Sequence, residues 1–472
     1  MDRAPHAPQL DTLLATQREA YRRDPYPDRA TRLDRLARVE SLLRDGGDRI
    51  AQAISADFGN RSVHETVIGE IFFVQAGIAH TRSHLRKWMK QRRVATSFHS
   101  LPGSSRILPQ PLGVVGIVSP WNYPLQLALA PAVAALAAGN RVMLKPSELT
   151  PRLSALLAEL VGARFGADEM AVVEGDAEVG KAFTALRFDH LFFTGSTQVG
   201  RIVAQAAAAN LVPVTLELGG KSPAIIDPSA DLDEAAARIA AGKLFNAGQT
   251  CIAPDYVLVP TARREAFAQA FLQAARRMYP ALAGNPDYTT IVSERHYQRL
   301  ERLVDQAAAT GARVLRAEGH AAQASTRVLP PTVLLDGRDD QPVMQEEIFG
   351  PVLPVVGYEQ LDEAIGYINA RPRPLALYFF GSDSAAQERV LTRTVSGGVT
   401  VNDCLLHIAQ ENLPFGGVGD SGIGSYHGEH GFRLFSKDKP VFVQSRFAGT
   451  ALLRPPYGPR TERVIGLLRK LV

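Results

Sequence analysis

From about residue 112 onwards, short apolar segments alternate with alanine-rich ones, and this alternation limits the fold more than any other feature of the chain. The apolar segments have the length of buried strands, and the alanine-rich segments are long enough for helices. In chain order they are "GVVGIVSP", "PLQLALAPAVAALAAG", "NRVMLKPS", "LSALLAELVGARFG", "MAVVEG", "HLFFTGS", "TQVGRIVAQAAAA" and "PVTLELGG". Repeated βαβ units place helices on both faces of a parallel sheet. The sequence therefore predicts an α/β fold with a doubly wound sheet.

The remainder of the chain adds helices, a hairpin and a second α/β block. Apolar residues recur at helical spacing within residues 10–57, and a further helix is expected over about 65–90. Residues 93–111, "RVATSFHSLPGSSRILPQP", alternate in character around a Pro-Gly pair, which predicts a protruding hairpin. Strands and helices return from about 222 to 420. Residues 448–472 are Pro-rich and then weakly amphipathic, and we expect this tail either to cap a neighbouring surface or to be mobile.

Composition indicates a globular chain without nucleic-acid-binding character. The 472 residues include 46% hydrophobic ones, which is enough for two or three domains with their own cores. The formal charge is +4 and the pI is about 9.0. Basic runs such as Lys90–Arg93 lack interleaved aromatic residues, so they indicate a solvated helix face. We therefore expect no nucleic-acid partner.

The two cysteines, Cys251 and Cys404, are too few for a disulfide framework. Neither has a CxxC partner or a His pair at ligand spacing, so we expect no metal and a reducing cytoplasm. The first residues lack the pattern of a signal peptide. The longest apolar stretch, 127–138, contains Pro131 and is shorter than the roughly 20 residues that a membrane span needs. We therefore expect a soluble protein with no membrane partner.

Cys251 lies in the segment "NAGQTCIAPD". A free cysteine is often a small buried hydrophobe, and this interpretation stays open from the segment alone. The alternative is a nucleophile. Gly248 allows close backbone approach, and the polar pair Gln249-Thr250 leaves the main-chain N–H of Cys251 for an oxyanion.

A thiol nucleophile needs a base, and the oxyanion formed by its attack needs a hydrogen-bond donor; two segments offer them. In "LELGGKSP", Glu217 stands between two leucines at the end of an apolar strand, where desolvation would raise its pKa toward neutrality. The alternative is a surface glutamate on an edge strand. In "VSPWNYPLQ", Asn122 lies on a Pro-bounded turn and could aim its amide into a cleft, or could satisfy local backbone groups.

Nucleotide-binding candidates follow two strands. "FFTGSTQVG" places Gly195, Ser196 and Gly200 between a strand and a helix, where free N–H groups suit a pyrophosphate, although the GxGxxG fingerprint is absent. In "MLKPSELTP", Lys145 ends a strand, a position that suits a nucleotide hydroxyl but is also common for a solvated lysine.

The segment "VMQEEIFGPVLPVV" brings two adjacent carboxylates, Glu346 and Glu347, ahead of Phe349. Adjacent carboxylates repel, so one of them is expected to find a cationic or hydroxyl partner. The spacing does not decide which one.

Taken together, these segments resemble the NAD(P)-dependent aldehyde dehydrogenase superfamily over nearly the whole chain. The matching segments, in the family's order, are "PWNYP", "LKPSE", "FTGST", "LELGGKSP", "NAGQTC", "EEIFGPV" and "LPFGGVGDSGIGSYHGEHGF". The short N-terminal arm, "GQTCIAPDY" and the "SYHG" ending resemble the class 3 branch. "DFGNRSVHETVIGEI" and "LLHIAQENLPFGG" look most like bacterial coniferyl aldehyde dehydrogenases.

The resemblance implies a role for each catalytic candidate. Cys251 would attack the aldehyde carbonyl, and the amide of Asn122 and the N–H of Cys251 would hold the oxyanion. Glu217 would activate the water that hydrolyses the thioester, and could also help to deprotonate the thiol. Cys404 matches no catalytic motif, and we interpret it as structural. We keep His407 and His427 outside the catalytic set, because lone histidines are more often packing or surface residues.

The resemblance also implies NAD as cofactor, with NADP as the open alternative, and no metal. Lys145 would bind the adenosine ribose near Glu148, whose charge disfavours a 2′-phosphate. Glu347, rather than Glu346, would hold the nicotinamide ribose. The implied cofactor-binding residues are Lys145, Glu148, Gly195, Ser196, Leu218, Glu347 and Phe349.

The family's architecture implies a division of the chain and an assembly. The cofactor-binding domain would comprise 1–92 and 112–217, the catalytic domain 218–420, and the oligomerisation hairpin 93–111 with a strand at 438–446. Class 3 members are typically dimers, so we expect a homodimer.

Three functional alternatives accompany the main prediction, which is oxidation of coniferyl or another aromatic aldehyde. Medium- and long-chain aliphatic aldehydes are the usual class 3 substrates. A CoA-acylating dehydrogenase would pass the acyl group to a thiol, but it would not need Glu217. A non-enzymatic protein with this fold would be expected to lack Cys251, Asn122 or Glu217, and all three are present.

Overall fold

The computed structural model describes residues 7–470, so the first six residues of the segment 1–92 and the last two of the tail 448–472 lie outside it. The strands are β1 (Arg92–Val94), β2 (Ser104–Pro111), β3 (Val114–Val118), β4 (Arg141–Lys145), β5 (Met170–Val172), β6 (His190–Thr194), β7 (Val214–Glu217), β8 (Pro223–Ile226), β9 (Tyr256–Pro260), β10 (Arg313–Arg316), β11 (Thr332–Leu335), β12 (Val352–Tyr358), β13 (Ala376–Phe380), β14 (Gly398–Val401), β15 (Gly422–Ile423) and β16 (Ser436–Val443). The helices are α1 (Ala7–Arg23), α2 (Arg29–Phe58), α3 (Val63–Thr66), α4 (Phe72–Trp88), α5 (Gln126–Ala138), α6 (Pro151–Gly162), α7 (Ala177–Thr184), α8 (Thr197–Ala208), α9 (Leu232–Leu244), α10 (Arg264–Met278), α11 (Glu294–Ala309), α12 (Pro342–Gln345), α13 (Leu361–Asn369), α14 (Ser384–Arg393), α15 (Gly428–Leu434) and α16 (Pro459–Lys470).

The apolar segments after residue 112 form a six-stranded sheet in the order β15-β7-β6-β3-β4-β5. All neighbouring strands are parallel except β15, which pairs antiparallel with β7. The chain first winds outward from β3 to β5 and then returns beside β3 to form β6 and β7, so the topological switch point lies between β3 and β6. The prediction of a doubly wound α/β sheet is confirmed.

The carboxyl edge of this sheet collects the predicted polar residues. The turn that holds Asn122 follows β3, Lys145 ends β4, Gly195 follows β6, and Glu217 ends β7. Because parallel strands end at the same edge, residues far apart in sequence meet there.

A second sheet has seven strands in the order β10-β11-β12-β9-β8-β13-β14, and only β10 is antiparallel to its neighbour. Its central strand β9 begins shortly after Cys251, and β12 begins shortly after Phe349. The loops that contain Cys251 and Phe349 therefore extend from the second sheet toward the carboxyl edge of the first sheet.

The third sheet has the order β1-β2-β16. β1 and β2 form the antiparallel hairpin predicted at 93–111, and β2 also pairs antiparallel with β16, from Ser436↔Pro111 to Val443↔Ser104. The added strand thus lies at 436–443, slightly before the predicted 438–446.

Two helical predictions need correction. Residues 10–57 do not form one helix, because α1 and α2 are separated at 24–28, where Pro25 and Pro27 cannot donate the main-chain hydrogen bonds of a continuing helix. The predicted helix at 65–90 is interrupted by a π-helical turn, Val67–Ile71, between α3 and α4. Such turns are rare and frequently occur near functional sites.

Among residues 7–470 we find no helix long and apolar enough to cross a membrane. The same residues contain no group of three or more His, Cys, Asp or Glu side chains that could hold a metal ion.

Candidate active site

Cys251 follows a strained segment of the chain. Asn246, Ala247 and Gly248 have φ values of 54°, 50° and 74°, so three consecutive residues occupy the left-handed region. A Cβ on Gly248 would lie 2.4 Å from the main-chain oxygen of Gly350, which explains why a glycine stands there. The segment turns the chain so that Cys251, a free and half-buried cysteine, faces a cavity.

The thiol of Cys251 has a raised pKa. Burial is the largest cause, and the charges of Glu347 and Glu217 raise the pKa further. The main-chain N–H groups of Cys251 and Ile252 point at the sulfur and lower the pKa in part. The thiol is therefore largely protonated at neutral pH, and its use as a nucleophile requires a proton acceptor.

Glu217 ends β7 with its side chain buried, rather than exposed on a sheet edge. Burial raises the pKa of Glu217 well above its ordinary value, the direction that its apolar flanks indicated. Both of its carboxylate oxygens are buried and without a hydrogen-bond partner. An unpartnered carboxyl group beside a thiol can accept a proton from that thiol or from a water molecule.

Asn122 is buried in the turn between β3 and α5. Its Nδ2 donates to the main-chain oxygen of Gln249 at 3.1 Å, so the amide is held against the loop that ends at Cys251. This bond uses one of the two amide protons, which leaves the other for a ligand. Next to it, the hydroxyl of Tyr123 lies 2.7 Å from Oγ1 of Thr250, a second link between the two loops.

An apolar cavity of about 300 Å³ opens at Cys251. Aromatic side chains and helix α9 form much of its wall, and Cys404, which we expected to be structural, is buried and lines it as well. The cavity-lining residues that the sequence did not suggest include Phe73, Tyr123, Phe245, Arg238 and Leu406. Tyr123 and Leu406 lie in the segments "PWNYP" and "LLHIAQENLPFGG", but only the folded chain brings all five residues together.

Lys145 and Glu148 lie at the end of β4. Lys145 is buried, and its Nζ donates to the main-chain oxygen of Pro146 at 2.8 Å. Burial lowers the pKa of Lys145, while the nearby charge of Glu148 raises it in part. Glu148 itself is exposed. This corner therefore presents one buried ammonium group and one solvated carboxylate.

Gly195 and Ser196 connect β6 to α8, as predicted. The hydroxyl of Ser196 accepts from the N–H of Val199 at 3.4 Å, so Ser196 is the N-cap of α8. Gly200 lies inside the helix instead of in the turn, and a Cβ there would approach Cδ2 of Leu218 to 2.6 Å. Gly200 thus allows α8 to pack on Leu218, a buried residue just past β7.

The two adjacent glutamates behave differently. Glu346 is exposed and lies 3.4 Å from Nη2 of Arg299, which provides the cationic partner that the sequence predicted for one of them. Burial raises the pKa of Glu347 to about 8, with a further contribution from the charge of Asp255. Oε1 of Glu347 is buried and without a hydrogen-bond partner.

A second cavity, of about 280 Å³, lies beside Glu347 and is also lined by Gly219 and Gly220. A Cβ on Gly219 would lie 2.2 Å from Oε2 of Glu347, so the carboxylate rests directly on this glycine. Phe349 has a φ of 56° and packs edge-on against Trp121, with ring centroids 5.4 Å apart.

The sequence did not indicate what holds Glu347 in place. Asp255, just beyond Cys251, pairs with Lys221 and accepts from the N–H of Ile348 at 2.9 Å. Nζ of Lys221 also donates to the main-chain oxygens of Val343 and Glu346, at 2.8 and 2.9 Å. Lys221 lies in "LELGGKSP" and Asp255 in "GQTCIAPDY", but nothing in either segment predicted that the two residues would pair.

His407 and His427 lie in a stack of aromatic rings with Phe415 between them. Burial lowers the pKa of each to about 4, so both are neutral at physiological pH. This environment fits the interpretation of both histidines as packing residues.

Comparison with known proteins supports the resemblance drawn from the motifs. A profile of the Aldehyde dehydrogenase family matches residues 6–441. The chain is 50% identical to the probable coniferyl aldehyde dehydrogenase of Pseudomonas aeruginosa, over 97% of this chain and 95% of that protein. It is 48% identical to the coniferyl aldehyde dehydrogenase of Pseudomonas sp. HR199, over 99% and 97%. It is 41% identical to human aldehyde dehydrogenase family 3 member B1, over 97% and 96%.

Solved structures share the fold. Substrate-bound AldH of Staphylococcus aureus superposes with a TM-score of 0.92 at 38% identity, covering 97% of this chain and 99% of that one. The Mycobacterium tuberculosis aldehyde dehydrogenase complexed with NAD+ superposes with a TM-score of 0.81 at 27% identity, covering 94% and 91%. The predicted fold and the predicted likeness to class 3 and coniferyl aldehyde dehydrogenases are confirmed. A match from residue 6 to residue 441 and full-length relatives at 50% identity show that this chain belongs to the aldehyde dehydrogenase family.

Proposed function

We propose that this protein oxidises an aromatic aldehyde, with coniferyl aldehyde as the first candidate, to the carboxylic acid with NAD+ or NADP+ as oxidant. The observation that supports this most is the arrangement at Cys251. A half-buried thiol faces an apolar cavity, with the unpartnered carboxyl group of Glu217 and the amide of Asn122 nearby.

In the first step the thiol of Cys251 loses its proton and its sulfur adds to the aldehyde carbon. The carbonyl oxygen becomes an oxyanion, which accepts hydrogen bonds from the free amide proton of Asn122 and from the main-chain N–H of Cys251. The thiol proton passes to solvent, directly or through Glu217, whose raised pKa lies closer to that of the thiol than an ordinary carboxylate's does, so Glu217 is again able to accept a proton when the thioester forms.

The cofactor-binding candidates fit a dinucleotide. Oε1 of Glu347 is buried without a donor and beside a cavity, so a ribose hydroxyl would satisfy it. Lys145 supplies a buried ammonium group for the other ribose, and the N-terminus of α8 at Ser196 suits a pyrophosphate. The chemistry that bound NAD(P)+ supplies is acceptance of a hydride from the thiohemiacetal carbon.

Cys251 then holds the acyl group as a thioester. Glu217 removes a proton from a water molecule, the water oxygen adds to the acyl carbon, and the carbon–sulfur bond breaks to release the carboxylic acid. The thiolate of Cys251 leaves and is ready for another aldehyde.

The choice of an aromatic substrate rests on the cavity and on the relatives. The rings of Phe73, Tyr123 and Phe245 line an apolar cavity, which suits an aromatic substrate. Two relatives at 48–50% identity are named as coniferyl aldehyde dehydrogenases, one of them as probable.

A substrate panel tests the proposal. Purified enzyme is given coniferyl aldehyde, benzaldehyde, hexanal or an aliphatic semialdehyde, and formation of NADH and NADPH is followed separately. We expect the highest kcat/KM with coniferyl aldehyde, and with NAD+ because Glu148 disfavours a 2′-phosphate. A higher kcat/KM with hexanal would reject the aromatic assignment in favour of an aliphatic one.

The same panel is run with and without coenzyme A, since a CoA-acylating enzyme is the mechanistic alternative. We expect turnover without coenzyme A and the free acid as product, because Glu217 provides the hydrolytic base. Formation of an acyl-CoA as main product would reject hydrolysis.

We also propose a homodimer that uses the sheet of β1, β2 and β16, and a cytoplasmic location. Large apolar side chains are exposed on this sheet and its hairpin, among them Phe98, Leu101, Phe442 and Val443. Light scattering of the wild type should give twice the mass of the chain, and Phe442→Asp should give the mass of a monomer. A dimer mass for Phe442→Asp would reject this surface as the dimer interface. Cell fractionation against a periplasmic marker tests the location.

A further inference from the structure

A buried ion pair lies behind the turn that holds Asn122. Nη1 of Arg61 and Oε1 of Glu70 are 2.8 Å apart, and both side chains are fully buried. Arg61 precedes α3, and Glu70 lies in the π-helical turn Val67–Ile71. The charges are therefore removed from water beside the turn that holds the predicted oxyanion donor, although neither residue belongs to a catalytic motif.

Both partners of the pair also bind the main chain of the Asn122 turn. The same Nη1 of Arg61 donates to the main-chain oxygen of Asn122 at 3.0 Å. Oε2 of Glu70 accepts from the N–H groups of Leu125 and Gln126, at 2.7 and 3.0 Å, and so caps the start of α5. The pair thus holds the turn at both ends.

The turn is further joined to the nucleophile loop. Nδ2 of Asn246 donates to the main-chain oxygen of Asn122 at 2.9 Å and to that of Gln249 at 3.2 Å. The guanidinium of Arg61 lies over the ring of Tyr123, 4.9 Å from its centroid. The backbone of Asn122 is therefore fixed by Arg61 from one side and by the Cys251 loop from the other.

Stability alone does not account for such a pair. A buried ion pair gains little net folding free energy, because desolvation of both charges offsets their attraction. In addition, Nε and Nη2 of Arg61 are buried without a hydrogen-bond partner, so this guanidinium is only partly compensated. The groups that it does satisfy are those that fix the Asn122 turn.

We infer that Arg61 and Glu70 are positioning residues, which act through the Asn122 turn to aim its amide at the oxyanion. This inference rests on the proposed role of Asn122. Neither residue touches the reacting atoms, so each should affect the rate of the first chemical step and not the affinity for aldehyde or nucleotide.

A double-mutant cycle tests the inference. Arg61→Lys keeps the charge but loses the donor that reaches both Glu70 and Asn122, and Asn122→Ala removes the amide while keeping the main-chain oxygen. Each variant and the double variant are assayed for the pre-steady-state burst of NADH, aldehyde KM, nucleotide dissociation constant and Tm.

We expect Arg61→Lys alone to slow the burst on the order of 10²-fold, the cost of a misplaced catalytic group, with KM and nucleotide affinity unchanged. In the Asn122→Ala background the same change should alter the burst by no more than about twofold, because the group that Arg61 positions is gone. An equal loss in both backgrounds would overturn the inference. If Arg61→Lys does not fold, Glu70→Gln replaces it, and its effect on the burst is compared between the wild-type and Asn122→Ala backgrounds in the same way.

The chain offers a matched control in Glu169. Oε1 and Oε2 of Glu169 accept from Arg35 at 3.1 Å and from Arg38 at 2.7 Å, in a carboxylate–guanidinium cluster that is less deeply buried than the Arg61–Glu70 pair. Arg141, at 3.7 Å, begins β4, so this cluster lies at the edge of the sheet opposite to Lys145. Glu169→Gln should lower Tm without slowing the burst, and an equally slow burst would overturn the inference. An unchanged burst in Asn122→Ala alone would instead reject the role proposed for Asn122.

Discussion

Nδ2 of Asn122 lies 3.1 Å from the main-chain oxygen of Gln249, two residues before Cys251. A donor from the first sheet and a nucleophile from the second are thereby held in one hydrogen-bonded unit. The chemistry that we propose depends on this contact.

Replacing Asn122 with alanine should lower turnover on the order of 10²-fold or more, because one oxyanion donor is lost. The nucleotide dissociation constant should stay the same, since Asn122 contacts the Cys251 loop and not the cavity beside Glu347. Steady-state kinetics and a nucleotide titration give both values. A change in nucleotide affinity alone would contradict the assignment.

Cys251→Ala should abolish dehydrogenase turnover while nucleotide binding survives, because the sulfur that we propose forms the thioester is lost. Cys404→Ala is the natural control, since Cys404 is the other cysteine, lines the same cavity and should be dispensable. Substantial residual turnover in Cys251→Ala would reject Cys251 as the nucleophile.

Glu217→Gln should separate the two halves of the reaction. The amide cannot accept a proton from water, so a burst of NADH should be followed by slow steady-state turnover as the thioester accumulates. Rapid mixing measures the burst, and mass spectrometry of the quenched protein detects the acyl group on Cys251. A steady-state rate equal to that of the wild type would count against Glu217 as the base.

The pH dependence of alkylation should report the charges around Cys251. Its raised pKa means that thiolate forms, and alkylation accelerates, only as the pH rises above the ordinary thiol range of about 8.5. Glu347, with a pKa of about 8, is already charged there and disfavours the thiolate. Glu347→Gln should therefore move the alkylation profile to lower pH.

Glu346→Gln is the matched control for that experiment, because Glu346 is adjacent but exposed and near Arg299. Its profile should coincide with that of the wild type. Iodoacetamide labelling of the apoenzyme, followed by mass spectrometry of the Cys251 peptide, gives the rates. Coincident profiles for all three proteins would exclude a contribution of the Glu347 charge to the raised pKa of Cys251.

Gly242→Ala should narrow the aldehyde cavity. A Cβ at Gly242 would lie 2.5 Å from Cβ of Cys404, and overpacking of this kind costs about 1–3 kcal/mol. We expect a lower Tm on that basis, and a raised KM for coniferyl aldehyde because Cys404 is displaced within the cavity wall that it forms, with hexanal less affected because it is thinner. Gly180→Ala, in helix α7 with open space around it, should change neither value.

Much of the fold could be predicted because its signals are local. The alternation of apolar and alanine-rich segments predicted β3 to β7, and the turn after β3 placed Asn122 at the carboxyl edge. The break between α1 and α2 was missed although Pro25 and Pro27 signal it, because the leucine periodicity continues on both sides.

The environment of the site was harder to predict, because it consists of contacts between distant segments. The sequence brought Cys251, Glu217 and Asn122 together through their motifs. It gave no indication that Arg61 and Glu70 reach the Asn122 turn, since a charged residue next to a helix is ordinarily solvated. Nor did it indicate that Cys404 would line the cavity, which only the packing of Cys404 against Gly242 in α9 reveals.

The pairing of β2 with β16 has a consequence for synthesis of the protein. Ser104 is paired with Val443, so a nascent chain cannot complete the three-stranded sheet until β16 has left the ribosome, more than 300 residues after β2. The doubly wound sheet needs only β15 from that late segment, and its five parallel strands are available much earlier. The part of the proposed dimer surface that β16 provides, with Phe442 and Val443, is therefore made only after strands β3 to β7 of the first sheet.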